Sequence, residues 1–306
     1  MSATALAGLW FAATQPFVSS IAWSGQKASP DKLEDHVVQL ATLLPERSDD
    51  VDKLDVSAEY IYGEFQQYGK AAYQVFDVWG IQYRNVILHM DRKAEKTVVV
   101  GAHYDAFDGL PGADDNASGV AGLLELARLL DASTPDLNVE LVAYALEEPP
   151  YFGTENMGSY HHAQQSDADL IIVLEMIGYF RDTRGSQNYP LPFLRHLYSD
   201  KGDFIALVGR FNEFSSIRTM KAAFLGAAEI STYSLTFPPI LSGVSFSDHR
   251  NYWLRGRNAV MITDTAFERN PHYHTDEDTP DKLDYAKMAE VVTGVYASLF
   301  ALAHNE

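Results

Sequence analysis

The spacing of apolar residues along this chain alternates between the three-to-four-residue period of a helix and the short continuous runs of a buried strand. The helical period comes first, and Trp79-Gly80 then separates two extended segments that predict a hairpin. Strands and helices alternate from there to the end. The predicted strands are 72–78, 81–90, 97–102, 139–146, 170–174, 204–208 and 259–263. The predicted helices are 29–43, 56–68, 117–130, 158–165, 214–228, 248–254 and 285–304.

This alternation predicts the fold class. It indicates an α/β protein, a single three-layer α/β/α domain with a mixed, mostly parallel central sheet, because parallel strands need helical crossovers that cover both faces. No linker rich in Pro, Gly or Ser divides residues 29–306, so we expect one domain there. Residues 1–28 are expected to be an N-terminal segment that either packs on this domain or is the remnant of an anchor.

The N-terminal segment is apolar but too interrupted to cross a membrane. Residues 1–24 carry no charged side chain, yet Gln15 and Pro16 break the run well before the ~20 apolar residues of a span. The first basic residue is Lys27, whereas a secretory signal carries Lys or Arg near its start. We therefore expect no transmembrane span and no intact signal peptide in this sequence.

Charge and composition narrow the range of functions. The 306 residues include 42 acidic and 23 basic side chains, which give a formal net charge of -19. Such a surface repels phosphate backbones and no basic run offsets it, so a nucleic-acid partner is not expected. The chain has no cysteine, which excludes disulfides, thiolate catalysis and cysteine-ligated metals. Any metal site must therefore use His, Asp and Glu.

Side chains that can bind metal follow three of the predicted strands. They are His103 and Asp105 after strand 97–102, Glu147 and Glu148 after strand 139–146, and Glu175 after strand 170–174. The carboxyl ends of parallel strands meet at one edge of a sheet, which is where such folds bind ligands. Carboxylates gathered there would repel one another and take up protons, and a bound cation removes that conflict.

Two loops add further candidates at the same edge. One contains Asp114-Asp115-Asn116 and leads into a helix, and the other contains His274 after the last strand. Residues 114, 116, 118, 119 and 125 also fit the spacing of an EF-hand calcium loop. An EF-hand needs a helix before the loop, whereas a strand and a turn come first here. A calcium loop is therefore the less favoured interpretation.

Five motifs in order resemble those of the co-catalytic two-zinc aminopeptidases, whose wider relatives include glutamate carboxypeptidase, the transferrin receptor and glutaminyl cyclase. The resemblance covers roughly Pro30 to the end of the chain. It implies the zinc-exopeptidase fold of the phosphorylase/hydrolase-like class. The motifs are His103-Tyr104-Asp105, Gly112-Ala113-Asp114-Asp115-Asn116-Ala117-Ser118-Gly119, Glu147-Glu148 followed by Gly158-Ser159, Ser247-Asp248-His249, and His274-Thr275 with Asp278-Thr279.

The resemblance also implies a set of metal ligands. Asp115 would bridge two zinc ions, one held also by His103 and Glu175, the other by Glu148 and His274. Three protein ligands per ion leave a position for a shared water, as catalytic zinc requires. The family's aminopeptidases usually have Asp where this chain has Glu175, so the denticity or metal preference at that position is expected to differ.

Catalytic roles follow from the same resemblance. Glu147 would be the general base, because neighbouring side chains of an extended segment diverge and only Glu148 would then bind metal. Asp105 would orient the imidazole of His103, and Asp278 would do the same for His274.

These motifs together predict an exopeptidase, and specifically an aminopeptidase that removes N-terminal residues from peptides with a free N-terminus. The prediction includes two Zn²⁺ per chain and a periplasmic or secreted bacterial protein whose export signal or anchor is not part of this sequence. One alternative is a glutaminyl-peptide cyclotransferase on the same scaffold, which would bind one zinc. The other is a receptor-like binding module without metal.

Overall fold

An eight-stranded mixed sheet runs through the part of the chain that the computed structural model describes, residues 2–44, 46–238 and 243–304. Its strand order is β1-β2-β4-β3-β5-β8-β6-β7. The central strands β4, β3, β5 and β8 are parallel. Strand β2 pairs antiparallel with both β1 and β4, and β6 pairs antiparallel with β8 but parallel with β7. The strands are β1 (Lys70–Val78), β2 (Ile81–Met90), β3 (Thr97–His103), β4 (Asn138–Tyr144), β5 (Leu170–Glu175), β6 (Phe204–Gly209), β7 (Ser231–Thr236) and β8 (Ala259–Thr263).

Helices cover both faces of this sheet, because alternate strand residues are apolar on each side. Val98 and Val100 of β3 join the larger core beneath α3, α4, α6 and α8, while Val99 joins the smaller core beneath α5 and α7. The predicted three-layer α/β/α class is therefore confirmed. The helices are α1 (Ala3–Thr14), α2 (Pro30–Val38), α3 (Val51–Gln66), α4 (Gly119–Ala132), α5 (Gly158–Gln165), α6 (Phe214–Ala227), α7 (His249–Leu254) and α8 (Tyr285–Ala303).

Three elements differ clearly from the sequence prediction. Helix α1 lies in the apolar N-terminal segment, where no helix was predicted. Helix α3 begins at Val51 rather than residue 56, because the Asp50 side chain accepts a hydrogen bond from the amide of Asp52 and caps the helix. Strand β7 was not predicted. Its sequence, Ser-Thr-Tyr-Ser-Leu-Thr, has no apolar run, and its place at the sheet edge comes from pairing with β6 rather than from hydrophobicity.

The N-terminal segment contacts the main body through buried polar bonds. The ammonium of Lys221 donates to the carbonyls of Thr14 and Gln15, at 2.9 and 3.0 Å. The amide of Ile21 donates to the carbonyl of Ala222 at 2.9 Å. A buried backbone carbonyl without a partner is costly, so these bonds stabilise the end of α1 against α6.

Helix α8 is the one described helix that is long and apolar enough to cross a membrane by length and composition. It covers Tyr285–Ala303, and 61% of its most apolar window is buried inside the molecule. Its contacts are with α6, α4 and α2, so it is a central element of the larger core.

Candidate metal centre

The carboxyl ends of β3, β4 and β5 place three parts of the site along one edge of the sheet. His103 is the last residue of β3, Glu175 is the last residue of β5, and Glu147-Glu148 follows β4 after two residues. All four side chains are at least nine-tenths buried. The parallel pairing of β3 with both β4 and β5 sets these ends side by side, as the strand order predicts.

Asp115 enters the site from the turn that precedes α4. The side chain of Asn116 binds this turn to β5. Its Nδ2 donates to the carbonyl of Leu174 at 2.9 Å, and its Oδ1 accepts from the backbone amide of Met176 at 3.0 Å. Asp278 accepts from the amide of Asp115 at 3.0 Å. The position of the Asp115 carboxylate is thereby fixed by groups from two other segments.

Each oxygen of Asp115 faces a different imidazole. Oδ1 lies 3.3 Å from Nε2 of His103, and Oδ2 lies 3.2 Å from Nε2 of His274. The carboxylate thus lies between two histidines that are 171 residues apart in the sequence. One further carboxylate accompanies each histidine.

The two accompanying carboxylates complete two groups of three. Glu175 Oε2 lies 3.6 Å from Nε2 of His103, and Glu148 Oε2 lies 3.1 Å from Nε2 of His274. Ligand atoms of His103, Asp115 and Glu148 all lie within 4.8 Å of one another. The structure therefore brings all five predicted ligands together, with Glu175 beside His103 and Glu148 beside His274.

Several of these atoms lack the hydrogen bonds that buried polar atoms normally make. Nε2 of His103, Nε2 of His274 and Oε1 of Glu148 are buried without a hydrogen-bond partner. Two atoms bound to one tetrahedral zinc at ~2.0–2.1 Å are about 3.3 Å apart, close to the separations found here. The donor set of imidazole and carboxylate also suits zinc. The site therefore fits divalent metal ions.

Comparison with known families agrees with this geometry. The family model described as "Peptidase family M28" matches residues 85–299, about 70% of the sequence. The chain belongs to peptidase family M28. The matched region contains all five candidate ligands and Glu147. The protein is therefore a peptide hydrolase by family.

Sequence relatives of this M28 chain include both bacterial and fungal proteins. The uncharacterised protein YfbL of Escherichia coli is 46% identical over 298 residues, which cover 94% of this chain and 92% of YfbL. Leucine aminopeptidase 1 of Emericella nidulans is 27% identical over 236 residues, which cover 72% of this chain and 55% of the fungal protein. The chain thus spans about half the length of that aminopeptidase.

Solved structures show the same fold. The zinc aminopeptidase BSAP from Bacillus subtilis has a TM-score of 0.73 at 15% identity, covering 92% of this chain and 97% of its own. A glutaminyl cyclase from Bacteroides thetaiotaomicron has a TM-score of 0.68 at 18% identity, covering 92% and 100%. At these identities the likeness establishes the shared α/β fold and not the reaction.

In this M28 peptidase, Asp105 acts on more than the histidine for which it was predicted. Its carboxylate accepts from the amides of Glu147 and Glu148, at 3.1 and 2.9 Å. Nδ1 of His103 lies 3.1 Å from the backbone carbonyl of Asp105 and 3.6 Å from its carboxylate. The imidazole is therefore oriented mainly by the carbonyl, and the side chain holds the glutamate pair in place.

The prediction that Asp278 orients His274 is not what the structure shows. The carboxylate of Asp278 accepts from the amides of Asp114 and Asp115 and so supports the bridging aspartate instead. The imidazole of His274 is stacked between two aromatic rings, with centroids 4.1 Å from Phe107 and 3.8 Å from Tyr273. Stacking therefore fixes the plane of this ring.

Two supporting residues had no role in the sequence prediction. The hydroxyl of Ser247 donates to Glu175 at 2.6 Å, and the amide of Asn270 donates to the Asp114 carboxylate at 2.8 Å. Ser247 belongs to a motif that the sequence did display, but nothing in its spacing indicated which ligand it would contact. Asn270 carries no comparable signal.

The contacts of Glu125, the last position of the EF-hand spacing, contradict the calcium-loop interpretation. The carboxylate of Glu125 accepts from Arg128 at 2.7 and 2.8 Å and from the amide of Ser29 at 2.7 Å. These hydrogen bonds hold the carboxylate on α4. A calcium loop would instead require it to bind the ion together with residues of the preceding turn.

The crowding of buried carboxylates and imidazoles shifts several pKa values at the centre. Burial raises the pKa of Glu147 well above its usual range, and burial together with Asp115 raises the pKa of Glu148 to about 8. Burial lowers the pKa of His274, but Asp115 and Glu148 outweigh it and bring that pKa to about 9. The raised pKa values favour the protonated forms of these groups, which is the response expected of crowded buried carboxylates.

An apolar cavity of about 120 Å³ opens beside the centre. Glu175 lies at its edge, and strands β6, β7 and β8 form much of its wall. A cavity of ~150 Å³ lined by apolar side chains can hold a benzene ring, so this one has room for a medium-sized apolar side chain. The residues that line it include Tyr198, Phe204, Ala206, Tyr233, Phe246 and Met261.

Proposed function

We propose that this chain is a metallo-aminopeptidase that binds two Zn²⁺ and removes N-terminal residues from peptides. The observation that carries the proposal is the position of Asp115, whose two oxygens each face a different histidine at 3.3 and 3.2 Å. A single metal site would need one such contact. Glu175 on one side and Glu148 on the other supply the second carboxylate of each group.

The charges also favour two dications. Asp115, Glu147, Glu148 and Glu175 would carry four negative charges when ionised, and two Zn²⁺ carry four positive ones. When bound, the zinc ions would polarise the scissile carbonyl and lower the pKa of a water molecule. They would also favour the ionised forms of the four carboxylates, which burial disfavours in their absence.

Glu147 has the position of a general base. Its Oε2 lies 4.0 Å from Nε2 of His103, which is farther than the candidate ligands lie from their histidines, and it is buried beside them. As a carboxylate it would take a proton from the attacking water and return it to the leaving amine. Asp105 keeps Glu147 and Glu148 in their relative positions through their backbone amides.

Selectivity for the N-terminal residue follows from the surroundings. The cluster of carboxylates suits the free α-ammonium group of a peptide, and the neighbouring apolar cavity suits its side chain. The similarity to fungal leucine aminopeptidases supports the same choice. We expect uncharged apolar residues such as Leu to be released fastest.

The test combines metal analysis with a panel of substrates on the purified chain. We expect close to two zinc per chain and hydrolysis of aminoacyl reporters, with no hydrolysis of the same reporters when the amine is acylated. One zinc together with cyclisation of a glutaminyl peptide would instead identify a cyclotransferase. Absence of bound metal and of turnover would leave a binding module and overturn the proposal.

A further inference from the structure

Arg47 is a buried cation that reaches the metal centre from outside the region matched by the family. It lies in the loop before α3, whereas the family match begins at residue 85. Its side chain is among the largest of the fully buried ones, with 1% of the residue exposed. An arginine is rarely buried to this extent unless its donors are satisfied.

The guanidinium of Arg47 joins two loops of the centre through their backbone carbonyls. Nη1 donates to Tyr104 at 3.1 Å, on the loop between His103 and Asp105. Nη2 donates to Pro111 at 2.8 Å and to Gly112 at 2.6 Å, just before the turn that carries Asp115. The planar fork of arginine can hold several fixed acceptors at once, which a lysine cannot do.

The backbone of Arg47 adds a further bond to the first loop. Its carbonyl accepts from the amide of Ala106 at 2.8 Å. A Cβ at Gly112 would clash with the carbonyl oxygen of Asp115 and would lie 2.9 Å from Nη2 of Arg47, so glycine is needed both for the turn and for the approach of the guanidinium. Gly112 also has φ +54, a conformation that glycine adopts without strain. Arg47 is therefore hydrogen-bonded to both the His103 loop and the turn that carries Asp115.

The charge of Arg47 also bears on the centre. Burial lowers its pKa to about 10, against the opposing effects of Asp105, Asp278, Asp115 and Glu148. It therefore stays cationic at neutral pH while its hydrogen bonds go to neutral carbonyls. A positive charge placed in this way lowers the cost of gathering carboxylates without occupying any of their ligand atoms.

We propose that Arg47 is a positioning residue of the metal centre, holding the His103 loop and the Asp115 turn at the separation that metal binding requires. The inference rests on the proposed two-metal function. Arg47 contacts neither substrate nor metal in this assignment and acts through the two backbone segments. Residues outside the ligand shell commonly change metal affinity by ~10–100-fold.

The test measures zinc affinity by chelator competition on the full chain carrying Arg47→Lys or Arg47→Met. We expect Arg47→Met to bind zinc at least about tenfold more weakly than the wild type, with Arg47→Lys in between because it restores charge but not the fork. Co²⁺ added to the metal-free proteins gives a second readout, and its absorption bands should shift in both variants if ligand geometry changes.

Arg210→Met is the matched control. Its guanidinium also joins a carboxylate and a carbonyl, Glu213 and Arg257, at 2.7 and 2.9 Å. Because β6 is antiparallel to β8, Arg210 at the end of β6 lies at the edge opposite the centre. We expect this variant to lose stability while keeping the zinc affinity and Co²⁺ spectrum of the wild type.

The outcomes separate this inference from the proposed function. If the wild type binds no zinc, the proposed function fails first. If the wild type binds zinc and both Arg47 variants keep its affinity and spectrum, the positioning role is wrong. The role is also wrong if neither Arg47 variant folds, as judged by circular dichroism, or if Arg210→Met weakens zinc binding as much as they do, since Arg47 would then be a general requirement of the fold.

Discussion

At the scale of single residues, Glu147 and Glu148 show how neighbours in sequence acquire different environments. Glu148 lies 3.1 Å from His274, whereas Glu147 comes no nearer than 4.0 Å to His103. Both amides donate to Asp105, so the backbone of the pair is held in one place while the side chains diverge. In the proposed mechanism, this separation would let Glu148 bind metal while Glu147 transfers protons.

Replacing Glu147 with Gln tests the division of roles. We expect kcat to fall by ~10²–10⁴, because the amide keeps the shape of the side chain but cannot accept the proton. The zinc content should stay at the wild-type value, since Glu147 is not among the proposed ligands. Metal analysis and steady-state kinetics on the same preparation check both points. An exposed control, Glu95→Gln, should change neither. Full turnover by Glu147→Gln would rule out this residue as the base.

At the scale of elements, β6, β7 and β8 determine the size of the apolar cavity. Ala206 of β6 faces it, and Tyr233 of β7 and Met261 of β8 contribute to the same wall. The pairing of β6 with both β7 and β8 brings these side chains together, although 49 residues lie between β6 and β8. The hydrophobic pattern predicted two of these strands but not the cavity between them.

Ala206→Leu tests whether the cavity selects the substrate side chain. The added methyl and methylene groups should fill part of it, so kcat/KM for a leucyl reporter should fall by ~10–200-fold, while an alanyl reporter should be affected far less. The ratio of the two kcat/KM values is the measurement, because a general loss of stability would lower both together. An unchanged ratio would place the substrate side chain elsewhere.

At the scale of the whole molecule, the crowded centre makes the stability of the metal-free protein depend on pH. In the folded state the pKa of His274 rises from 6.5 to about 9 and that of Glu148 from 4.5 to about 8. A raised pKa contributes stability that is fully present below the unfolded value and is lost as the pH rises through the folded value. The metal-free protein should therefore lose stability between about pH 6 and pH 9.

Thermal unfolding after chelation measures this effect. We expect Tm to fall by at least about 5 °C from pH 6 to pH 9, and by less with saturating zinc, because metal binding has already removed the protons. Glu148→Gln lacks one of the two titrating groups, so its metal-free protein should show a shallower fall. A metal-free Tm that is constant or rises over this range would contradict the assignment of protons to the centre.

The sequence predicts most of the elements because apolar periodicity is a local property. Helix 158–165 and strand 259–263 were predicted with the observed bounds, and β1 and β2 as a hairpin. Strand β7 was not, since its buried residues are the polar ones, Thr232, Ser234 and Thr236, the reverse of the usual pattern of a strand with one apolar face. The start of α3 was wrong for a related reason, because a single capping bond of Asp50 decides it.

What the sequence alone determined is the chemistry of the site: the residue types at strand ends, the absence of cysteine and the order of the M28 motifs. What only the tertiary structure decided is how those groups face one another. Asp115 lies between His103 and His274, and Arg47 is hydrogen-bonded to the loops that carry His103 and Asp115. These contacts form because strand order and loop packing join segments that are distant in the chain. Hydrophobic patterning acts over a few residues, whereas such contacts depend on the whole sheet being assembled.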